Sequence, residues 1–220
     1  MDEERTQLRF WTGLKELEVR WRALLKEYDR CGSEFFRSAP ELDNKHINNA
    51  KLVTNRFELI KLLPCHGIVA ELGTQTGRFA CHIFSHSQPR SLHLVDIDYS
   101  KFNAALFPDG AIGTSVLTHV GLSWDVMKDF RDKYFDWIYV DAAHDYESVR
   151  KDIEASHRKI KDNGFIVFND YTFWSHLEHV RYGVIHAVNE FLISHNWEIR
   201  FFALQRQGYY DVACGKIGNH

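Results

Sequence analysis

The chain has 220 residues, of which 45% are hydrophobic and 26% are charged, a composition that excludes a disordered chain and a small disulfide-stapled module. It carries 27 Lys and Arg against 30 Asp and Glu, for a net charge of -3. It also lacks the basic runs interleaved with aromatic residues that a nucleic-acid surface requires. We therefore expect one domain with a short extension and no nucleic acid as partner.

The cysteines and the first residues indicate a cytoplasmic protein. Cys31, Cys65, Cys81 and Cys214 are far apart and form no Cys-x-x-Cys pair, which is typical of reduced thiols. The chain begins Met-Asp-Glu-Glu, acidic where a secretion signal is basic, and no apolar stretch approaches the roughly 18 residues that span a bilayer. We expect no membrane association.

The first part of the chain is predicted to be helical. Apolar residues recur at three- and four-residue steps over residues 8–28, the pattern of an amphipathic helix. Residues 31–43 predict a connector, and residues 47–63 a second helix. We therefore divide the chain into a helical extension (1–45), acting as a lid over the site or as the contact of a homodimer or higher homo-oligomer, and a main domain (46–220).

From residue 67 onward, short apolar runs alternate with helical patterns, as in a parallel sheet with crossover helices. The predicted parallel strands are residues 67–72, 91–95, 115–120, 135–140 and 165–168. A helix at 184–192 follows, and then strands at 197–204 and 209–214 that should form an antiparallel hairpin. The predicted fold is a doubly wound α/β domain with a mostly parallel seven-stranded sheet, whose ligands bind beyond the carboxyl ends of the strands.

A glycine-containing loop follows the first of these strands. The segment reads Glu71-Leu72-Gly73-Thr74-Gln75-Thr76-Gly77, and its two glycines allow a sharp turn and close approach of a ligand. Three residues separate the glycines, so the dinucleotide pattern Gly-x-Gly-x-x-Gly is absent. Asp96 follows the second strand, at the position where such folds bind a ribose. Its alternative role is that of a helix-capping or solvated loop acid.

Oxygen-bearing side chains follow the fourth and fifth strands. Asp141 comes directly after residues 135–140, and Asn169 and Asp170 come directly after residues 165–168. Because parallel strands end at the same edge of a sheet, these three side chains can converge on one hard cation such as Mg²⁺ or Mn²⁺.

The Glu-x-Gly-x-x-x-Gly loop, the acid after the second strand and the terminal hairpin together resemble the class I (Rossmann-like) S-adenosylmethionine-dependent methyltransferases, over about residues 67–216. The resemblance implies S-adenosylmethionine as cofactor, with the loop around Gly73 bordering its methionine part and Asp96 accepting its ribose hydroxyls. The cofactor-binding residues that it implies are Glu71, Gly73, Thr74, Gln75, Thr76, Gly77, Asp96, Ile97, Ser123, Trp124 and Asp141.

The segment from Val140 to Asp170 is similar to the metal-dependent small-molecule O-methyltransferases, and closest to their sugar-modifying branch. This similarity implies that Asp141, Asn169 and Asp170 are the metal ligands. The branch usually has two acids where this chain has Asn169-Asp170, and a neutral ligand weakens cation binding.

His144 is the predicted general base. It lies three residues after Asp141, where the catechol-type relatives carry their basic residue, and imidazole titrates near neutral pH. Asp145 is the second choice for the base, and Asp141 completes the predicted catalytic set. The alternative for His144 is a helix-start residue bonded to a nearby carbonyl or carboxylate.

The predicted function is an S-adenosylmethionine-dependent O-methyltransferase that acts on a hydroxyl of a polar small molecule, sugar-like or a natural product, assisted by a divalent cation. Its rivals are a metal-independent methyltransferase on another small-molecule acceptor, a nicotinamide-dependent oxidoreductase, and a non-catalytic cofactor-binding module. The residues after Asp170 either bind the substrate or pack beneath a lid. This set comprises Tyr171, Phe173, Trp174, His176, His179, Arg181 and Tyr182.

Overall fold

The computed structural model describes residues 2–30 and 38–218. Its chain divides into two compact units, Met1–Ser38 and Ala39–His220. The first unit contains a single long helix, α1 (Asp2–Arg30), with acidic residues in its first turn, so the predicted amphipathic helix is present and longer than expected. Most of the predicted connector (31–43) lies outside the described residues. The roles of lid and oligomer contact stay predictions.

The described part of the second unit contains ten strands. In chain order they are β1 (Lys51–Val53), β2 (Ile68–Leu72), β3 (Ser91–Asp96), β4 (Val116–Val120), β5 (Phe135–Val140), β6 (Ile160–Phe168), β7 (Trp174–Ser175), β8 (Val180–Arg181), β9 (Trp197–Leu204) and β10 (Tyr210–Lys216). Eight of them form one sheet in the order β1-β9-β10-β6-β5-β2-β3-β4, and β7 and β8 form a separate ribbon. Within the large sheet, β10 pairs antiparallel to both of its neighbours, and the other pairings are parallel. The predicted terminal hairpin is thus confirmed.

Helices cover both faces of this sheet, as the buried central strands require. They are α2 (Arg56–Leu62), α3 (Arg78–Ser87), α4 (Ser123–Val126), α5 (Tyr146–Ser156) and α6 (Val184–His195). On one face Leu72 and Phe168 belong to the same core as Val188 of α6. On the other face Trp137 belongs to the same core as Ile60 of α2. Among the described residues, no helix combines the length and apolar character needed to cross a bilayer.

The sheet differs from the prediction at its edge. Where one helix over residues 47–63 was expected, the structure has strand β1 and then α2, and the sheet therefore has eight strands rather than seven. The Asn55 side chain caps α2 by accepting hydrogen bonds from the amides of Phe57 and Glu58, and β1 pairs with β9 in parallel. Tertiary pairing thus overrides the helical periodicity of this segment.

The carboxyl ends of β2, β3, β4, β5 and β6 lie at one edge of the sheet because these five strands are parallel. The antiparallel strand β10 reaches the same edge with its amino end, since its Val212 pairs with Phe168 at the end of β6. Side chains from distant parts of the sequence are therefore brought together there.

Candidate functional site

A cavity of about 710 Å³ opens at this edge of the sheet. Its lining includes side chains that follow β2, β3, β4 and β5, so the cavity lies at the edge where ligand binding is predicted. The predicted site residues that line it are Glu71, Gly73, Thr74, Gln75, Thr76, Asp96, Ile97, Ser123, Trp124, Asp141 and His144. Four others, Gly77, Asp145, Asn169 and Asp170, are not among its lining residues.

The loop after β2 turns sharply at Gly73, whose φ is +89°. A Cβ atom at this position would lie 2.0 Å from the backbone oxygen of Asp141. The Gly73 amide donates a hydrogen bond to the backbone oxygen of Val95 in β3, so the loop is bonded to β3 and packed against the residue that follows β5. Gly77 ends the loop with a φ of +78° and is the N-cap of α3. The chain therefore needs glycine at Gly73 for both conformation and space.

Asp96 fixes the same loop from the end of β3. Its Oδ2 atom accepts hydrogen bonds from the amides of Thr74 and Gln75, at 2.8 and 2.7 Å. Its Oδ1 atom accepts from the amide of Asp98 at 3.0 Å. These bonds show that Asp96 acts as an acid that stabilises the loop. A carboxylate that accepts three hydrogen bonds still has one lone pair for a ribose hydroxyl. Ribose binding stays a prediction.

Two buried polar atoms at the cavity have no hydrogen-bond partner among the described residues. They are Oε2 of Glu71 and Oγ1 of Thr74, and both residues line the cavity. Burial raises the pKa of Glu71 well above its ordinary value, and the nearby charge of Asp141 raises it further, against opposing effects of the neighbouring Thr74 side chain and of Arg56. Buried polar atoms normally have partners. This pair at the cavity wall therefore fits a ligand with hydrogen-bonding groups, such as the amino group of S-adenosylmethionine.

The residues predicted to contact an adenine follow β4. Trp124 lines the cavity, and the Lys151 ammonium lies 4.8 Å from its ring centroid. The Ser123 hydroxyl donates a short hydrogen bond to Oδ1 of Asp152 in α5. The other Asp152 oxygen, Oδ2, is buried without a partner among the described residues. Ser123 therefore connects the cavity wall to a buried acid that the sequence analysis did not identify.

Burial raises the pKa of Asp152 from an ordinary 3.8 to about 7. Between these two pH values Asp152 is ionised in the unfolded chain and protonated in the folded chain. The free energy of unfolding therefore falls as the pH rises towards 7. Asp152→Asn removes this ionisation and keeps an acceptor for Ser123. We expect the variant to be more stable than the wild type by about 2 kcal/mol at about pH 8, with the difference shrinking towards about pH 4.

Denaturant unfolding across this pH range measures the effect. Asp109→Asn, at an exposed position, is the matched control, since it retains Asp152 and should follow the pH dependence of the wild type. Equal stability of Asp152→Asn and the wild type at alkaline pH would contradict the prediction.

His144 lies among the three oxygen-bearing side chains predicted at the ends of β5 and β6. Its Nε2 atom is 3.3 Å from Oδ1 of Asn169, 3.6 Å from Oδ1 of Asp141 and 3.8 Å from Oδ2 of Asp170. The imidazole stacks on the Tyr182 ring, with centroids 4.5 Å apart and planes at 14°. The predicted base and the three predicted oxygen ligands thus form one cluster.

The carboxylates of this cluster favour the charged form of the imidazole. Burial by itself would lower the pKa of His144, but the hydrogen bond and charge of Asp141, with further contributions from Asp170 and Asn169, raise it above the ordinary value. Burial raises the pKa of Asp170 to about 6, against the opposing effect of His144. His144 is therefore able to accept a proton near neutral pH.

The cation predicted for this cluster stays a prediction. The oxygens of Asp141, Asn169 and Asp170 lie 3.6, 3.3 and 3.8 Å from Nε2 of His144, Asn169 being the nearest, so the ring nitrogen and a cation would compete for the same oxygen atoms. Nδ2 of Asn169 donates to Asp211 at 3.1 Å, which leaves Oδ1 facing the cluster. Among the described residues, no group of three or more His, Cys, Asp and Glu side chains is arranged to hold a metal ion.

Asp145, the second choice for a base, caps α5. Its side chain accepts a hydrogen bond from the amide of Ser148 at 3.0 Å. Burial opposes the effect, but the hydrogen bonds with Ser148 and nearby amides hold the pKa of Asp145 below its ordinary value. A carboxylate that is weakly basic and caps a helix is poorly suited to remove a proton from a hydroxyl.

The structure adds residues that the sequence analysis missed. Arg56 and Glu178 line the cavity, and the Arg56 guanidinium lies 4.3 Å from the Phe79 ring centroid. Glu178 accepts a hydrogen bond from the Tyr182 hydroxyl at 2.8 Å. Asp211, at the amino end of β10, is buried behind Asn169. No sequence motif marks these positions, because α2, the loop after β6 and an antiparallel strand supply them.

The sequence and the fold were both compared with known proteins. Residues 70–171 match a family described as a methyltransferase domain, a segment that runs from β2 to just beyond β6 and includes the glycine loop, Asp96, Asp141 and His144. A search of curated proteins finds no match to the sequence.

Solved structures share the fold at low sequence identity. The O-methyltransferase TomG from Streptomyces achromogenes, involved in tomaymycin synthesis and solved with SAM, is 17% identical, with a TM-score of 0.56 over 73% of this chain and 77% of TomG. The ribosomal protein L11 methylase from Lactobacillus delbrueckii subsp. bulgaricus is 19% identical, with a TM-score of 0.52 over 73% of this chain and 74% of the other. M. capricolum TrmK, solved with S-adenosyl-homocysteine, is 14% identical, with a TM-score of 0.53 over 77% and 71%.

Proposed function

We propose that this chain, an S-adenosylmethionine-dependent methyltransferase, transfers the methyl group to a hydroxyl of a polar small molecule, with His144 as general base. The observation that carries the proposal is the position of His144. Its imidazole lines the cavity and is flanked by the carboxylates of Asp141 and Asp170, which stabilise the ring after it takes up a proton.

The cofactor is assigned to the part of the cavity next to the glycine loop. Gly73 lets this loop pack closely against the backbone of Asp141, while Glu71 and Thr74 offer unpartnered polar atoms. When bound, S-adenosylmethionine supplies a methyl group activated by its positively charged sulfur and leaves as S-adenosylhomocysteine. The acidic side chains around this space are suited to a ligand with a sulfonium and an amino group.

His144 acts on the acceptor rather than on the cofactor. A neutral alcohol is a weak nucleophile, so the imidazole takes the hydroxyl proton while the acceptor oxygen bonds to the methyl carbon. The resulting imidazolium is stabilised by Asp141 and Asp170 until the proton passes to solvent. Holding acceptor and base in contact supplies the remaining acceleration through alignment.

Three side chains, Arg56, Glu178 and Tyr182, support a polar acceptor. Arg56 and Glu178 bring opposite charges to the cavity wall, and the Tyr182 hydroxyl lies beside Glu178. A sugar-like molecule or a hydroxylated natural product presents the hydrogen-bonding groups that such side chains bind. TomG, an O-methyltransferase of biosynthesis with the same fold, is in line with this class of acceptor.

The divalent cation expected from the sequence is left out of this proposal. The three oxygens that would hold it converge on the His144 ring, and the charge that would act beside the acceptor is supplied by the imidazolium instead. We expect turnover to continue in the presence of a chelator and to change little when Mg²⁺ or Mn²⁺ is added. A strict requirement for either ion would contradict the metal-independent form of the proposal.

The function can be tested in two steps. Calorimetric titration with S-adenosylmethionine, S-adenosylhomocysteine and NAD should show binding of the first two only. Incubation with a methyl donor labelled on its methyl group and a panel of hydroxylated small molecules, followed by mass spectrometry, should then give an O-methylated product. Binding of NAD without a response to the methyl donor, or methylation at nitrogen or carbon alone, would overturn the proposal.

A further inference from the structure

A buried polar network lies behind His144. Its centre is Asp211, whose side chain is fully enclosed. One carboxylate oxygen accepts hydrogen bonds from Nδ2 of Asn169, at 3.1 Å, and from the side-chain amide of Gln205. The other accepts from the hydroxyl of Tyr139. Asp211 therefore accepts three hydrogen bonds, two of them on the oxygen that faces Asn169. Burial raises the pKa of Asp211 to about 7, and the hydrogen bond with Tyr139 opposes this rise.

This arrangement fixes the orientation of the Asn169 amide. Nδ2 has two hydrogens, and it donates to Asp211 and, at 3.3 Å, to the Tyr139 oxygen. A flipped amide would place its carbonyl oxygen against a carboxylate oxygen, which is repulsive in a buried site. Asn169 therefore presents its Oδ1 atom towards Nε2 of His144.

The orientation of Asn169 determines which ring nitrogen carries hydrogen. Nε2 of His144 faces Oδ1 of Asn169 and the carboxylate oxygens of Asp141 and Asp170. All three atoms are acceptors, so Nε2 must be the donor in the neutral ring as well as in the charged ring. The other nitrogen, Nδ1, is then left with a free lone pair.

We propose that Asp211, acting through the Asn169 amide, holds His144 as the Nε2–H tautomer, so that Nδ1 is the nitrogen that takes the acceptor's proton. The inference rests on the proposed function, because it assigns an atom to the base. Asp211 and Asn169 are positioning residues, since both act through His144. The hydroxyl proton passes to Nδ1 as the O–CH₃ bond forms and the S–CH₃ bond breaks, and it then leaves to solvent.

The tautomer can be observed without any turnover. Long-range ¹H–¹⁵N NMR of the full-length protein labelled with ¹⁵N-histidine distinguishes the two neutral tautomers, and His144→Gln assigns the signal. Above the pH at which the His144 ring titrates, we expect Nε2 to be protonated in the wild type. Protonation at Nδ1 instead would overturn the proposal.

Asp211→Asn tests the role of the buried acid. An amide at this position can donate to Asn169, so the Asn169 amide is free to rotate and present its NH₂ group to His144. Asn169 is nearer to Nε2 than the carboxylates of Asp141 and Asp170, which still favour Nε2–H. We therefore expect a partial shift of the His144 tautomer towards Nδ1–H and a fall in kcat of about 10-fold. Binding of S-adenosylhomocysteine should change by less than about 2-fold, because the variant leaves the glycine loop intact.

The double variant Asp211→Asn/Asn169→Asp exchanges the two groups. A carboxylate at 169 can accept from the new amide at 211 and from Nε2–H of His144, so we expect the wild-type tautomer and much of the lost kcat to return. Gln205→Ala is the matched control, since it removes another donor to Asp211 without rotating Asn169, and it should keep the wild-type tautomer. If the His144 tautomer is the same in Asp211→Asn and in the wild type, the proposed role of Asp211 is wrong.

The two proposals can fail separately. One outcome is that the tautomer responds to Asp211→Asn and to the double variant as expected while kcat stays constant. In that case the role of Asp211 in setting the tautomer is retained, and the assignment of His144 as the base is wrong. If S-adenosylhomocysteine does not bind the wild type, the proposed function fails whatever the NMR shows.

Discussion

His144→Gln is expected to lower turnover by about 10²- to 10⁴-fold while leaving the binding of S-adenosylhomocysteine nearly unchanged. The glutamine amide can still donate a hydrogen bond to Asn169, Asp141 or Asp170, so the buried oxygens around the ring keep a partner. It cannot take up a proton. The loss therefore isolates proton acceptance from the structural contacts of the ring, which include its stacking on Tyr182.

Single-turnover assays with labelled S-adenosylmethionine measure the chemical step, and calorimetry measures binding. His86→Gln provides the matched control, because this histidine is exposed on α3 and should retain wild-type turnover. Near-wild-type rates for His144→Gln would contradict the base assignment. A rise in KM with kcat unchanged would instead assign the ring to acceptor binding.

Gly73→Ala is expected to lower the free energy of unfolding by at least about 3 kcal/mol and to weaken S-adenosylhomocysteine binding at least about 100-fold. The added Cβ would lie 2.0 Å from the backbone oxygen of Asp141 and 2.5 Å from its carbonyl carbon. The ends of β2 and β5 must therefore separate, because a backbone cannot move aside as a flexible side chain does. The movement would displace Asp141 and the loop that borders the cofactor.

Gly110→Ala separates this clash from the cost of the backbone conformation. Gly110 has a φ of +75°, close to the +89° of Gly73, but its added Cβ would meet no atom within 4 Å. We expect this control to lose about 1 kcal/mol and to bind S-adenosylhomocysteine normally. Similar losses of stability in the two variants, measured by denaturant unfolding, would show that close packing at Gly73 is unimportant.

The sequence predicted the parallel part of the sheet because each strand is a short apolar run followed by a turn. Strands β2 to β6 and the β9–β10 hairpin all lie within or near the predicted segments. Strand β1 was missed because three residues are too few to show an alternating pattern, and because Leu52 and Val53 fit the helical spacing predicted for residues 47–63. Only its pairing with β9 makes it a strand.

The candidate site was likewise predictable only in part. Asp96, Asp141 and Asp170 could be placed at one edge because residues that follow parallel strands meet there. The sequence could not show that the oxygens of Asp141, Asn169 and Asp170 all lie close to one ring nitrogen of His144. That outcome depends on side-chain directions and on the buried donors around Asp211, which are set by packing.

Local patterns of apolar and turn-forming residues by themselves determined the order of strands and helices, the glycine loop and the acids at the strand ends, since each depends on residues close in the chain. The tertiary structure alone decided the eighth strand and the convergence of Asp211, Asn169 and His144. Asp211 is 42 positions from Asn169 in the chain, and Asn169 is 25 positions from His144. Hydrogen bonds between residues so far apart in the chain depend on how the strands pair in the sheet, and local sequence patterns do not predict that pairing.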